Sequence, residues 1–289
     1  MFIGLDSVSR IKWLKQLPKS SEFLIETLRS KVITGYNIVG DGTPAALIPI
    51  LTGKHESELP STLKGLKNSV TVDNAYPFIW NLFQDKLNYA TLYNEDWPGA
   101  GCFQYRMKGF SKPPTTHYMR PLQMASTTKL CNHGISAFEF NLEYAVDFMN
   151  MYKDTGFFGF MHIKEYTHNE GVNDIRWLDD TLYKFYKDFK ESSLSSNTIL
   201  VMFSDHGPRY SSLRKSVKGL LQERNPFFSI YLPSLFKLRY PEEAINLKNN
   251  INIISAPMDI HATLLDFIDL ELNSEKLKDP GNEVRLIFF

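Results

Sequence analysis

Ser204-Asp205-His206-Gly207 stands at the end of the apolar run Thr198–Phe203, so a carboxylate and an imidazole lie side by side where a buried strand should stop. Strand C-termini in α/β sheets are where ligands bind. An Asp–His pair also suits a hard or borderline cation such as zinc. Taken alone, Asp-His-Gly is equally an ordinary turn. Two further segments shift that balance. Phe2-Ile3-Gly4-Leu5-Asp6-Ser7 is another short apolar strand ending on a carboxylate, and Gly40-Asp41-Gly42-Thr43-Pro44 sets a hydroxyl at the start of an apolar helix that closes in Leu51-Thr52-Gly53. The spacing there predicts Thr43 as N-cap with Pro44 at the first helical position.

Three such groups can meet only if the elements between them return the chain to one edge. The apolar patterning predicts strands over 2–6, 89–93, 157–163, 198–203 and 227–233, with an extended stretch around 32–37. Helices are expected over 9–29, with a break near Pro18, and over 43–51, 78–87, 138–153, 174–192 and 259–268. Residues 98–134, with Pro113-Pro114, read as a long irregular loop facing substrate. Strand and helix alternate along the length, which implies an α/β fold of three layers, a mainly parallel sheet sandwiched by helices. There is no internal repeat and no low-complexity tract, so residues 1–289 are expected to form a single domain.

The order of these motifs resembles the alkaline phosphatase/sulfatase superfamily, and within it the alkaline-phosphatase-like DUF229 family. Gly4–Arg10, Gly35–Thr43, Glu95-Asp96-Trp97, Thr167-His168-Asn169 and Asp259–Leu265 carry the second match, which runs from residue 2 to about residue 270. The resemblance implies an alkaline-phosphatase-like domain and an enzyme that breaks or transfers a phosphoester. Thr43 lines up with the nucleophile, whose hydroxyl takes up the phosphoryl group covalently. Asp6, Asp205 and His206, with the Thr43 oxygen, line up with the ligands of one divalent ion, and the Asp–His pairing favours zinc over calcium. Sulfatases carry Cys or Ser with an arginine four residues on; Thr43-Pro44-Ala45-Ala46-Leu47 has neither, so a sulfatase is the weaker reading. A binding protein that has lost turnover is the alternative from another class.

In two-metal relatives an Asp precedes a His by four residues. His168 matches that histidine, but Lys164 occupies the carboxylate position, and a charged lysine offers no lone pair to a cation. Either one ion is bound, the preferred reading, with Lys164, His168 and Arg209 gripping substrate oxygens, or the geometry differs and Glu165 or Glu223 contributes to a second. Glu223 and His261 are additional site candidates. Glu95, Asp96 and Trp97 read as site wall, and His162, inside an apolar strand, as a core histidine.

Composition bounds the rest. Of 289 residues 43% are hydrophobic and 13% aromatic, enough for a sizeable core. Lys+Arg and Asp+Glu balance at 32 each, which gives no reason to expect a nucleic acid partner. The expected substrate is a small-molecule or glycan- or lipid-linked ester, and no apolar run is long enough to span a membrane. A strand at Phe2 leaves no room for a leader. The resemblance implies an N-terminally truncated chain from an extracellular or secretory protein, with a cytosolic protein as the other reading. Cys102 and Cys131 then form one disulfide or remain two buried thiols.

Overall fold

Side-chain alternation along the strands divides the interior into two cores. In the computed structural model, which describes residues 1–125, 131–132, 134–168, 174–210 and 212–273, Phe2 faces one side of the sheet while Ile3 and Leu5 face the other. Phe158 and Phe160, Val201 and Phe203, and Phe228 and Ile230 join Phe2; Met161 and Ile163, and Leu200 and Met202, join Ile3. Both faces are apolar because both are covered, as a parallel sheet requires. Helices Thr43–Thr52, Ile79–Leu87 and Pro257–Asn273 close the first side, and Arg10–Gln16, Ala137–Tyr152 and Asp179–Glu191 the second. The outcome is the three-layer α/β arrangement expected.

The strands are β1 (Phe2–Leu5), β2 (Lys31–Val32), β3 (Ala90–Glu95), β4 (His117–Tyr118), β5 (Cys131–Asn132), β6 (Ile135–Ser136), β7 (Phe157–Ile163), β8 (Leu200–Phe203) and β9 (Phe228–Tyr231). Among the described residues, seven form one sheet in the order β2-β9-β8-β1-β7-β3-β4, while β5 and β6 pair separately. From β8 to β4 all neighbours are parallel; β9 runs antiparallel to both β8 and β2. The register sets Glu95 opposite His162 and His162 opposite Gly4, so the C-terminal ends of β3, β7, β1 and β8 reach one edge together.

Two expectations need correcting. The stretch 98–134 is not uniformly irregular: β4, the helix Arg120–Ala125 and β5 lie in it. Elements of two to six residues carry too little periodicity to be read, and this stretch is anchored instead by aromatic packing, with Phe103 5.2 Å from Phe78 and 5.9 Å from Tyr93. Thr43 is not the N-cap. Gly42 is, at φ +88°, and no side chain caps the helix. Asn169, and the side chain of Cys131, lie outside the described residues. Cys102 is a buried, unbridged thiol, pushed well above its ordinary titration range by burial and then by the charge of Glu95. No helix among the described residues is long and apolar enough to cross a membrane.

Candidate metal centre and its surroundings

Asp6 follows β1 directly, and its N–H donates to the Ile163 carbonyl at 2.9 Å, continuing the β1–β7 ladder one residue past the strand. The next residue, Ser7, has φ +60°, a conformation non-glycine residues adopt at a cost. Two bonds hold it there: its hydroxyl donates to Asp6 Oδ1 at 2.5 Å and its N–H to Asp205 Oδ1 at 3.0 Å. Ser204 Oγ accepts from the Val8 N–H at 2.9 Å and donates to the His206 carbonyl at 2.9 Å. The two strand-end turns are thereby stapled together, and Asp6 and Asp205 face each other across the β1–β8 edge.

These bonds consume only part of the site's polar capacity. Asp205 Oδ1 accepts from Ser7 and from the His206 N–H, yet Asp205 Oδ2 is buried with no hydrogen-bond partner. His206 Nδ1 lies 2.9 Å from the Gly207 carbonyl, so that nitrogen is the donor, and Nε2, also buried and unpartnered, is the one a neutral ring would offer to a cation. His206 Nε2 is 3.2 Å and His162 Nε2 3.7 Å from Asp205 Oδ2. Ligand atoms of Asp6, His162 and Asp205 all lie within 4.8 Å of one another. Buried polar atoms are nearly always paired, so a knot of orphaned oxygen and nitrogen lone pairs fits a divalent cation. Burial alone would push the Asp205 carboxyl up; His206 and His162 reverse that and hold it well below the usual range. Burial lowers His162, but the carboxylates of Asp205 and Asp6 outweigh it and raise the ring.

Thr43 opens the helix Thr43–Thr52 and is 7% exposed, with Oγ1 donating to Asp6 Oδ2 at 3.2 Å. Because Gly42 takes the capping position, this hydroxyl is free of backbone duty and points at the cluster. A Cβ on Gly42 would come 2.9 Å from Arg209 Nη1, so the guanidinium leans over the turn just before Thr43. Arg209 Nη1 is 3.0 Å from Asp41 Oδ1, Nη2 donates to the Tyr210 hydroxyl at 3.0 Å, and Nε is buried without a partner. His168 lies beside this rim, its ring 5.3 Å from Trp97 and 5.6 Å from Tyr210.

Lys164 is placed differently from an exposed substrate clamp. It is 2% exposed, with Nζ 2.7 Å from Glu95 Oε1 and 3.0 Å from the Ala100 carbonyl. Glu95 also accepts from the Tyr93 hydroxyl at 2.6 Å and the Cys102 N–H at 2.8 Å, while Asp96 accepts from the Lys164 and Glu165 N–H groups. Burial raises Asp96 to about 6 despite those bonds. The buried pair ties β3 to β7 at the site edge. Lys164→Met should destabilise the protein by about 3–5 kcal/mol in urea unfolding, because Glu95 is left buried and charged without its cation. Adding Glu95→Gln should recover much of that loss; a double variant no more stable than the single would show the pair is not the cause.

The remaining candidates lie elsewhere. Glu223 is buried behind the Asp205-His206 turn, its Oε2 2.8 Å from Arg214 Nε and its carbonyl accepting from the Gly207 N–H at 2.8 Å. His261 has Nδ1 3.0 Å from the Ile50 carbonyl and its ring against Gly53, at the far end of the helix that Thr43 opens. It is not gathered with Asp205. His162 and Ser7 are the site-edge residues that sequence reasoning missed. Alternation would have placed His162 on the same face as Phe158 and Phe160, and Gly4 is the matching signal, since a Cβ there would lie 2.5 Å from the Phe203 ring and 2.9 Å from His162 Cδ2.

Comparison with solved structures gives the same architecture at low identity. The chain is similar to the C-terminal periplasmic domain of EptC from Escherichia coli in complex with Zn, with TM-score 0.58 and 12% identity over 92% of this chain and 80% of that one. It is similar to a protein in the alkaline phosphatase superfamily from Vibrio parahaemolyticus, with TM-score 0.59 and 15% identity over 92% and 65% of the two chains. The lipoteichoic acid synthase LtaP from Listeria monocytogenes gives TM-score 0.58 and 12% identity over 92% and 71%. Likeness at such identities establishes the alkaline-phosphatase-like fold and leaves activity open. Comparison with curated proteins gives no match. The profile of DUF229, described as a protein of unknown function, matches residues 1–285, so this chain, with the fold of the alkaline phosphatase superfamily, belongs to the DUF229 family.

Proposed function

We propose that this protein is a metal-dependent phosphoester hydrolase or phospho-group transferase that uses Thr43 as nucleophile. The observation that carries the reading is the Thr43 hydroxyl, uncommitted to capping, 3.2 Å from Asp6 Oδ2 at the edge of the orphaned Asp–His cluster. Asp6, Asp205 and His206 would hold the divalent ion; a set mixing carboxylate and imidazole suits zinc, and the Escherichia coli neighbour is a zinc complex. Such an ion, when bound, supplies Lewis acidity at a phosphoryl oxygen and favours an ionised hydroxyl. The chain's own residues do the rest. Asp6 Oδ2 faces the Thr43 proton. The N-terminal end of the helix Thr43–Thr52 favours an anion beside its first residue. Arg209, held over Gly42 by Asp41, offers planar donors to equatorial oxygens, and His168 with Trp97 and Tyr210 walls the opening.

In this reading Thr43 Oγ gives up its proton and attacks phosphorus, the bond from phosphorus to the departing alcohol's oxygen breaks, and that oxygen takes up a proton, so the net proton count is unchanged. Water or an acceptor hydroxyl then attacks the phosphothreonine and restores Thr43. The natural substrate is a glycan- or lipid-linked or small phosphoester, met in the secretory pathway or outside the cell. Elemental analysis of the purified protein should find about one zinc per chain, and a panel of chromogenic phosphomonoester, phosphodiester and sulfate substrates should give turnover on a phosphoester only. A zinc-loaded protein that cleaves the sulfate ester instead would overturn the reading.

A further inference from the structure

Resting on the metal-dependent reading above, we propose that His162 binds the ion directly, giving a protein ligand set of Asp6, His162, Asp205 and His206. A histidine inside an apolar strand is ordinarily a core residue whose ring nitrogens are satisfied by neighbours. His162 is fully buried, and neither nitrogen has a hydrogen-bond partner. Its nearest acid, Asp205 Oδ2, is 3.7 Å away, too far for a hydrogen bond. That same oxygen is itself unpartnered, as is His206 Nε2.

The ring is not placed there by chance packing. β1 carries glycine opposite it, the one residue type that leaves room for the imidazole, and Phe203 stacks on it with centroids 6.0 Å apart and planes at 26°. Together Gly4 and Phe203 fix the ring across the β1–β7 boundary, where it and the carboxylates of Asp6 and Asp205 converge within 4.8 Å. The two imidazoles flank Asp205 Oδ2, His206 at 3.2 Å and His162 at 3.7 Å. An ion is the partner that satisfies all of these lone pairs at once.

Two chemical consequences follow. A second nitrogen donor moves the set away from magnesium and calcium, which favour oxygen ligands, and towards zinc. Four side-chain donors also retain the ion without help from the Thr43 hydroxyl.

X-ray absorption at the zinc edge of the wild-type protein loaded with zinc alone tests the assignment, because imidazole rings give countable outer-shell scattering. Two imidazoles per zinc are expected, and one would overturn the proposal. Competition with a chromophoric chelator provides the second measurement. His162→Phe should weaken zinc binding at least about 100-fold, more than the about 10–100-fold lost with an outer-shell partner, and an unchanged affinity would overturn it. Thermal melting of the metal-free wild type and variant reports whether the variant folds; if it does not, the absorption count on the wild type decides alone. Wild-type protein that takes up no zinc overturns the metal-dependent reading itself, and the ligand assignment with it.

Discussion

Thr43→Ala is expected to lower turnover of a phosphoester at least about 1,000-fold, the scale seen when a covalent nucleophile is removed, while zinc content stays near that of the wild type. The two halves of that result come from different atoms. Asp6, Asp205 and His206 supply donors that do not depend on residue 43. The variant removes only Oγ1 and its 3.2 Å bond to Asp6 Oδ2. Losing one such bond costs about 0.5–1.5 kcal/mol, and no cap is lost because Gly42 occupies that position without a side-chain bond. A cooperative melt close to the wild type's should therefore accompany the dead enzyme, so unfolding cannot account for the rate. Thr43→Ser keeps the oxygen and should restore part of the activity. Full activity in Thr43→Ala, measured on the same phosphoester, would remove Thr43 as nucleophile.

The contrast is with Asp205. Its two oxygens do different work, and substitutions separate them. Asp205→Ala removes the Oδ1 acceptor for the Ser7 and His206 N–H groups as well as the unpaired Oδ2, leaving two buried donors orphaned at about 1–3 kcal/mol each. Asp205→Asn can keep Oδ1 and so keep the strand-end staple, but it sets an amide nitrogen where Oδ2 stood. Both variants should lose zinc and turnover; only the alanine should also lose several kcal/mol of stability in metal-free urea unfolding. The Asp205 carboxyl titrates well below its ordinary value in the folded chain, so it contributes stability above the unfolded value of about 3.9 that is lost as pH falls below it. Asp205→Asn should remove that part of the acid destabilisation from the metal-free protein. An asparagine variant that retains zinc at wild-type affinity would take Asp205 out of the metal centre.

What the sequence made legible was whatever one strand or one helix carries by itself. Asp6 and Asp205-His206 follow short runs of apolar residues, so their position at a strand end was readable before any pairing was known. The covered, mostly parallel sheet followed from alternation of such runs with helices. The place of His162 beside Asp205 was not legible, for the opposite reason. It depends on Gly4 and Phe203 across two strand boundaries, and the register that brings them together is written nowhere in residues 157–163. Lys164 likewise reads as a free cation until β3 is set beside β7 and delivers Glu95. The cap at Thr43 was misread by one position because Gly42 at φ +88° and Thr43 are both plausible starts, and only the backbone distinguishes them. The pair β4 and Arg120–Ala125 was missed since neither is long enough to show a period.

The bond from the Ser7 N–H to Asp205 Oδ1 spans 198 residues, which ties the birth of this protein to a clock. β1 is the central strand, and its neighbours β7 and β8 are synthesised long after it. At about 5–20 residues per second, Phe2–Leu5 waits roughly ten to forty seconds on the ribosome before β8 exists to flank it. Until β7 (Phe157–Ile163) follows, the apolar central strand has no parallel neighbour to join, the condition under which unpaired strand edges favour aggregation. It also means that no ion can be captured until residue 206 has emerged and the sheet has closed. In the metal-dependent reading proposed above, the donor set therefore chooses only among the ions of the compartment in which folding ends.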